Sequence, residues 1–367
     1  MPSNPIRTAL VLSICGATSL PAQQSDADLL ARARAIHARV LTLDTHVDID
    51  PADFTATRNY AADLPTQVTL PKMERGGLDA AFFVVYVRQR PALDGPGYDA
   101  AYRAALDKFA AIHRLADEIA PDRIGLARSA SEARAIHDGG RKVALIGVEN
   151  GYPLGEDLGR IREFAERGAR YLSLAHNGPN QLSDSHTGAT LHRGLSPLGR
   201  RAVAELNRWG VMVDVSHPSR ASMLQMAELT KAPLVASHSA VRALCDHSRN
   251  LDDEQLDALA RTGGVVQVVA LSRFLICRDG DAAVSDLVDH IDYAVRRIGI
   301  DHVGISSDFD GGGGVVGWRD AGETLGVTVE LVRRGYTEAD IAKLWGGNLL
   351  RVMEQVERIG RELRGER

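Results

Sequence analysis

The sequence predicts an α/β chain folded as one (β/α)8 barrel, the TIM-barrel architecture, with a metal site at the C-terminal ends of its strands. Three observations predict the fold: eight short apolar runs recur along the chain, helical stretches lie between most of them, and glycines stand where helices hand over to strands. The runs are Val40–Leu43, Ala80–Val87, Val143–Val148, Tyr171–Ala175, Val211–Val215, Leu234–Ala236, Val265–Ala270 and Val303–Ile305. They are near-continuously hydrophobic rather than alternating, as expected for parallel strands buried on both faces.

The helices follow in order. Asp26–Arg39 is amphipathic and precedes the first run. Tyr98–Ala120 follows the second run. Ser196–Trp209 follows the fourth, opened by Ser-Pro-Leu-Gly, a helix start signal. Pro218–Leu229, Asp252–Thr262 and Asp281–Ile298 follow the next three, and Thr337–Val356 closes the chain. Gly168, Gly210, Gly263 and Gly299 occupy helix-to-strand junctions, where a C-cap glycine is common. Alternating β and α units in this number argue for a barrel. The alternative, an open doubly wound sheet, lacks support because no G-x-G-x-x-G follows any strand.

Composition is ordinarily globular, with 44% hydrophobic and 25% charged residues in 367. Barrels routinely use this much chain for one domain. The net charge of −5, without a basic block, excludes nucleic acid as an expected partner. Arg7 followed by the apolar run Ala9–Leu20 reads as a secretory signal peptide over residues 1–22, leaving one domain over 23–367. The run is too short to span a membrane, and no later stretch is long and apolar enough. An exported protein, periplasmic or secreted, is therefore expected. Ile14 before Cys15 is too large for a good lipid-attachment motif, which disfavours a lipid anchor. A homodimer is left open.

In such barrels catalytic groups sit where strands end. The first run leads into Asp44-Thr45-His46-Val47-Asp48, the third into Glu149-Asn150-Gly151 and the fourth into His176-Asn177. The fifth leads into Ser216-His217-Pro218, the sixth into Ser237-His238-Ser239, and the eighth into Ser307-Asp308-Phe309-Asp310-Gly311. A lone strand-end histidine is more often structural. Six of eight strands delivering a histidine or carboxylate to one rim call for a metal or acid/base site. Imidazole and carboxylate without thiolate suit zinc and similar ions. His46 and Asp48, two apart on an extended segment, point the same way and can reach one ion. His217 and His238, from adjacent strands, can share a second, with Glu149 between the pairs. By contrast His37, His113, His137 and His290 fall in helices and His302 begins a strand, all away from the rim. His186, His192 and His247 lie in loops and could stand near the site, with solvation as the default expectation.

These motifs resemble the membrane (renal) dipeptidase family of zinc peptidases, within the wider metal-dependent hydrolase barrels. The resemblance runs through DTHVD at Asp44, GVENG, RYLSLAHN, VDVSH, ASHS, SRN, GISSDFDG and NLLRV at Asn348. It implies two zinc ions, one on His46, Asp48 and Glu149, the other on Glu149, His217 and His238, with Glu149 bridging. It further implies that His176 contacts the substrate carbonyl, Arg249 pairs with the C-terminal carboxylate of a dipeptide, and Asp308 handles protons. The substrates so implied are small dipeptides. Two departures from the commoner amidohydrolase pattern fit this narrower family: His-x-Asp on the first strand and Glu149 at the bridging position. The residues after Glu149 and the loop Gly178–Arg193 are expected to shape specificity.

Two other readings remain at this stage. The same centre could act on another carboxylate-bearing amide, a lactone or a β-lactam. A degenerate, merely metal-binding barrel is the non-enzyme reading, against which the complete ligand set and Asp308 speak. Cys245 and Cys277 lie on neighbouring loops at the same rim, and mammalian members of the resembled family carry a disulfide in what looks like this place. A bridge is expected, with two free thiols as the alternative.

Overall fold

The structure, a computed structural model, describes residues 1, 2 and 25–366. The expected leader, with Cys15, therefore lies almost wholly outside the described residues. Among the described residues nine strands follow in chain order: β1 (Leu43–Asp48), β2 (Ala80–Tyr86), β3 (Ile124–Leu126), β4 (Lys142–Glu149), β5 (Ala169–Ser173), β6 (Met212–Asp214), β7 (Val235–Ser239), β8 (Val265–Val269) and β9 (Val303–Ser306). Eight of them form a parallel sheet in the order β1-β2-β4-β5-β6-β7-β8-β9. Beyond β9 the chain returns to β1: Asp48 N–H donates to the Phe309 carbonyl at 2.9 Å and Val47 bridges Phe309 in parallel. The sheet thus curls into a nearly closed barrel.

β3 was not anticipated. It is three residues long and pairs with the start of β4, Ile124 opposite Lys142. So short a run in a helix-rich stretch carries no period to detect. The first strand also differs: it occupies Leu43–Asp48, so the polar motif at Asp44 is itself strand rather than the loop after it. Its charged residues remain extended because the rim satisfies them.

Strand side chains alternate between two apolar clusters. Ala80, Phe82, Val84, Val143, Leu145, Tyr171, Met212, Val235 and Val265 fall in one, with Leu349, Val352, Met353 and Val356 of the last helix. Ala81, Phe83, Val85, Ala144 and Ile146 join the surrounding helices in the other. The last helix, Asn348–Arg364, covers the N-terminal mouth of the barrel. Its Asn348 donates to the Val303 carbonyl at 2.8 Å and Arg351 to those of Gly263 and Asp301, all at strand entrances. The opposite mouth is left for the site.

Gly168, Gly210, Gly263 and Gly299 all have positive φ, between 68° and 107°, as their junction positions require. The predicted helix at Tyr98 runs Gly95–Arg114 and ends in a π-turn, Leu115–Ile119. The closing helix is interrupted by a second π-turn, Lys343–Gly347. Helices Leu70–Gly76, Ala130–Asp138, Gly159–Glu166 and Leu325–Arg333 were missed. Among the described residues no helix is long and apolar enough to cross a membrane.

Candidate metal centre

The open mouth holds a cavity of about 810 Å³ lined by Asp48, Glu149, His176, His217, His238, Arg249 and Asp308, among others. All the predicted site residues therefore meet in one place, His46 lying buried just beneath them. Glu149, the last residue of β4, is the hub. Its Oε1 lies 2.8 Å from His217 Nε2, 3.4 Å from His238 Nε2 and 3.8 Å from His176 Nε2. Its Oε2 lies 3.7 Å from His46 Nε2. His46 Nε2 is also 3.6 Å from Asp48 Oδ2 and 3.9 Å from Asp308 Oδ1.

This donor set fits a metal. His46 Nε2 is buried and has no hydrogen-bond partner, although it faces three carboxylates. His217 and His238 point their Nε2 atoms at one spot, 3.1 Å apart. Three groups bring their ligand atoms within 4.8 Å of one another: His46–Glu149–His238, Glu149–His176–His217 and His46–Asp48–Asp308. Burial outweighs the nearby carboxylate at His217 and His238 and holds both well below the ordinary histidine range, so both rings are neutral and able to ligate. Burial would do the same at His46, but Glu149 and Asp48 overcome it and raise its pKa well above the usual value. Burial likewise favours the protonated form of Glu149, yet His176, His46 and His217 hold its pKa well below the usual value. Asp308 goes the other way: burial, aided by Asp48 and Glu149, pushes it up to about 7. Its backbone is left-handed, with φ 62°.

Four residues that sequence reasoning passed over stand behind these ligands. The Tyr171 hydroxyl donates to the Thr45 carbonyl at 3.1 Å and so accepts from His46 Nδ1 at 3.0 Å, turning the Nε2 lone pair to the cavity. Ser237 Oγ donates to Asp214 Oδ2 at 2.7 Å and accepts from His238 Nδ1 at 2.8 Å, fixing that ring the same way. Asp214 also takes the amides of Ser216 and Ser237 at 3.0 and 2.9 Å, strapping β6 to β7. Asp44 is the matching strap between β1 and β9, accepting from the Ser307 amide at 2.9 Å and from its hydroxyl. Asp214 and Ser237 stand inside VDVSH and ASHS, so a buried carboxylate beside a histidine was the available signal.

Arg249 is buried; its guanidinium donates to Ser239 Oγ and the His238 carbonyl, both at 3.1 Å, and its Nε has no partner. His186 and His247, both half-buried, line the cavity. His192 does not line it and bonds the Asn180 carbonyl at 2.8 Å. The helix histidines are structural as expected: His37 bonds Thr328 and Gly76, and His290 bonds Val241 and Leu275. Cys245 and Cys277 are bridged, with Cα atoms 5.2 Å apart.

Residues 30–367 match the profile Membrane dipeptidase (Peptidase family M19). The chain belongs to the membrane dipeptidase family. As a member it is a metal-dependent peptide hydrolase acting on dipeptides. The dipeptidase aclJ of Aspergillus oryzae is 37% identical over 82% of this chain and 72% of its own length. The dipeptidase verJ of Clonostachys rogersoniana is 33% identical, over 92% of this chain and 89% of that protein. Among solved structures, the probable dipeptidase PvdM of Pseudomonas aeruginosa superposes with a TM-score of 0.86 at 33% identity, covering 91% of this chain and 99% of the other. A metallo peptidase of Rhodobacter sphaeroides, liganded with a phosphinate mimic of the dipeptide L-Ala-D-Ala, superposes with a TM-score of 0.77 at 27% identity, covering 86% and 99%.

Proposed function

We propose that this dipeptidase uses two zinc ions, one held by His46, Asp48 and Glu149 and the other by Glu149, His217 and His238. The observation that best supports the pair is the division of Glu149: Oε2 faces His46 while Oε1 faces His217 and His238. When bound, such ions supply Lewis acidity and a water acidic enough to ionise near neutrality.

The side chains supply the remaining steps. Asp308, whose Oδ1 stands 3.9 Å from His46 Nε2 at the same mouth, takes a proton from the attacking water and returns it to the leaving amine. Burial keeps His176 below the ordinary histidine pKa, so its neutral ring has one N–H to direct at the developing oxyanion. Arg249 grips the free C-terminal carboxylate of the dipeptide with two parallel hydrogen bonds, which sets substrate length. The phosphinate dipeptide mimic bound by the Rhodobacter sphaeroides relative supports a substrate of this size.

A second reading applies to Asp308 alone. Its place beside His46 and Asp48 in one ligand group favours a role as metal ligand rather than proton carrier. Export completes the proposal, since the Cys245–Cys277 bridge suits an oxidising compartment. Elemental analysis of active protein should give two zinc ions per chain. A panel of L,L- and L,D-dipeptides should be cleaved, with tripeptides and dipeptide amides cleaved poorly. A single tight metal in fully active protein would refute the pair.

A further inference from the structure

The wall of the cavity that carries Arg249 carries a second arginine. Arg273 stands on the short helix Ser272–Leu275, just after β8, and lines the same cavity. Both guanidinium groups lie over one ring: Arg249 is 5.5 Å and Arg273 5.1 Å from the centroid of Phe274. Among the described residues, neither has a carboxylate within ion-pair distance. Of the acidic residues around the pocket, Asp53 pairs with Arg58 and Asp310 accepts from the amides of Gln67 and Val68, while Glu149 and Asp308 act on Arg249 only at longer range.

The support under both arginines is rigid. The Cys245–Cys277 bridge ties the two loops together, and Asn250 Nδ2 donates to the carbonyls of Cys245 and Phe274 at 2.9 and 2.7 Å. The histidines of this wall add no charge. His186 shares hydrogen bonds with Ser248 Oγ and Asn177 Oδ1, both at 3.0 Å, and burial with Arg249 nearby pushes its pKa down to about 3. His247 is lowered too, by burial and then by Arg273 and Arg249. Two positive charges therefore face one cavity; burial lowers the pKa of Arg249, Glu149, Asp214 and Asp308 raise it, and Arg273 adds a smaller lowering. One substrate carboxylate neutralises one of them.

We infer that Arg273 is a specificity-determining residue that selects dipeptides whose C-terminal residue bears a second carboxylate, aspartate or glutamate. This rests on the reading that Arg249 takes the α-carboxylate. The side-chain carboxylate, a few bonds away, then falls to Arg273. Arg273 is exposed. Solvent screening limits the effect, and a preference of roughly fivefold or more is expected, shrinking at high salt.

The test compares kcat/KM for Ala-Asp and its near-isostere Ala-Asn, with Ala-Ala and Ala-Lys alongside, on zinc-loaded protein. Wild type should favour Ala-Asp over Ala-Asn, and Arg273→Gln should bring that ratio close to one. Arg273→Glu should reverse the order, favouring Ala-Lys over Ala-Asp. A purely structural role would slow all substrates together and leave the ratios intact. If wild type cleaves Ala-Ala but treats Ala-Asp and Ala-Asn alike, or Arg273→Gln keeps the preference, the inference is overturned while the dipeptidase reading stands. If no dipeptide is cleaved, that reading falls and takes the inference with it.

Discussion

Tyr171→Phe tests whether the hydroxyl beneath His46 serves the metal site or only the core. The ring should stay where it is, since Phe82 packs 5.1 Å from it and the phenylalanine keeps that contact. Two hydrogen bonds disappear, at 3.1 Å to the Thr45 carbonyl and 3.0 Å to His46 Nδ1. Thr45 lies where the β1–β2 register shifts, between Asp44 and Val47. Stranding these buried groups should cost about 2–4 kcal/mol of stability. Releasing the ring of His46 should weaken metal binding about 10–100-fold, the usual effect of removing a ligand's support. Gly147→Ala supplies a companion: its Cβ would fall 2.0 Å from Tyr171 Cζ and 2.4 Å from the hydroxyl, forcing the ring aside. Chelator-competition titration reads the affinity, and thermal melting of metal-free protein reads the stability. A Tyr171→Phe protein that melts lower but binds zinc as tightly as wild type would refute the aiming role.

Three further outcomes are expected. Asp308→Asn should keep both metals and lower kcat by ~10²–10⁴-fold, because the amide cannot accept a proton and asparagine tolerates the left-handed backbone; a lost metal in elemental analysis would instead make Asp308 a ligand. Arg249→Lys should raise KM strongly for free dipeptides and much less for their amides, since lysine cannot form the fork; equal losses would mean a structural arginine. Metal loading should weaken as pH falls: Asp308 in the metal-free protein holds its proton below about 7, His46 is raised as well, and an entering ion must displace those protons. Isothermal titration in buffers of different ionisation enthalpy should therefore show proton release near pH 6, and none there would refute this coupling.

Much of the fold was legible because parallel strands buried on both faces must be continuously apolar. Seven of the eight barrel strands overlap their runs closely. The exception is instructive. At β1 the apolar run stops at Leu43, yet the strand continues for five more positions, four of them polar or ligating, as far as Asp48. Hydropathy cannot register a strand whose buried residues are Asp44, Thr45 and His46. Their burial is made tolerable by partners from distant segments: Ser307 for Asp44, Ser237 for Thr45 and Tyr171 for His46. Strand β3 failed for a simpler reason, being three residues long and too short to display a period.

The site was legible at its ligands and opaque one layer behind them. A ligand must stand at a strand end and belong to a small set of residue types, and both conditions can be read from a linear chain. A supporting residue need satisfy neither. Tyr171 sits within an apolar run, in β5, where it counts as core by every sequence measure. Its hydroxyl is functional only because Gly147, opposite it in β4, has no side chain and leaves the ring space to reach His46. Likewise Ser237 is a small polar residue between Ala236 and His238, and only the β6–β7 pairing brings Asp214 to it. Arg273 is the same case on the cavity wall. No spacing links it to Arg249, and the two share a wall because the loops after β7 and β8 are neighbours held by one disulfide. Residues that act through pairing across strands become visible only when the strands are paired, and here those are the residues that aim the ligands and set the charge of the cavity wall.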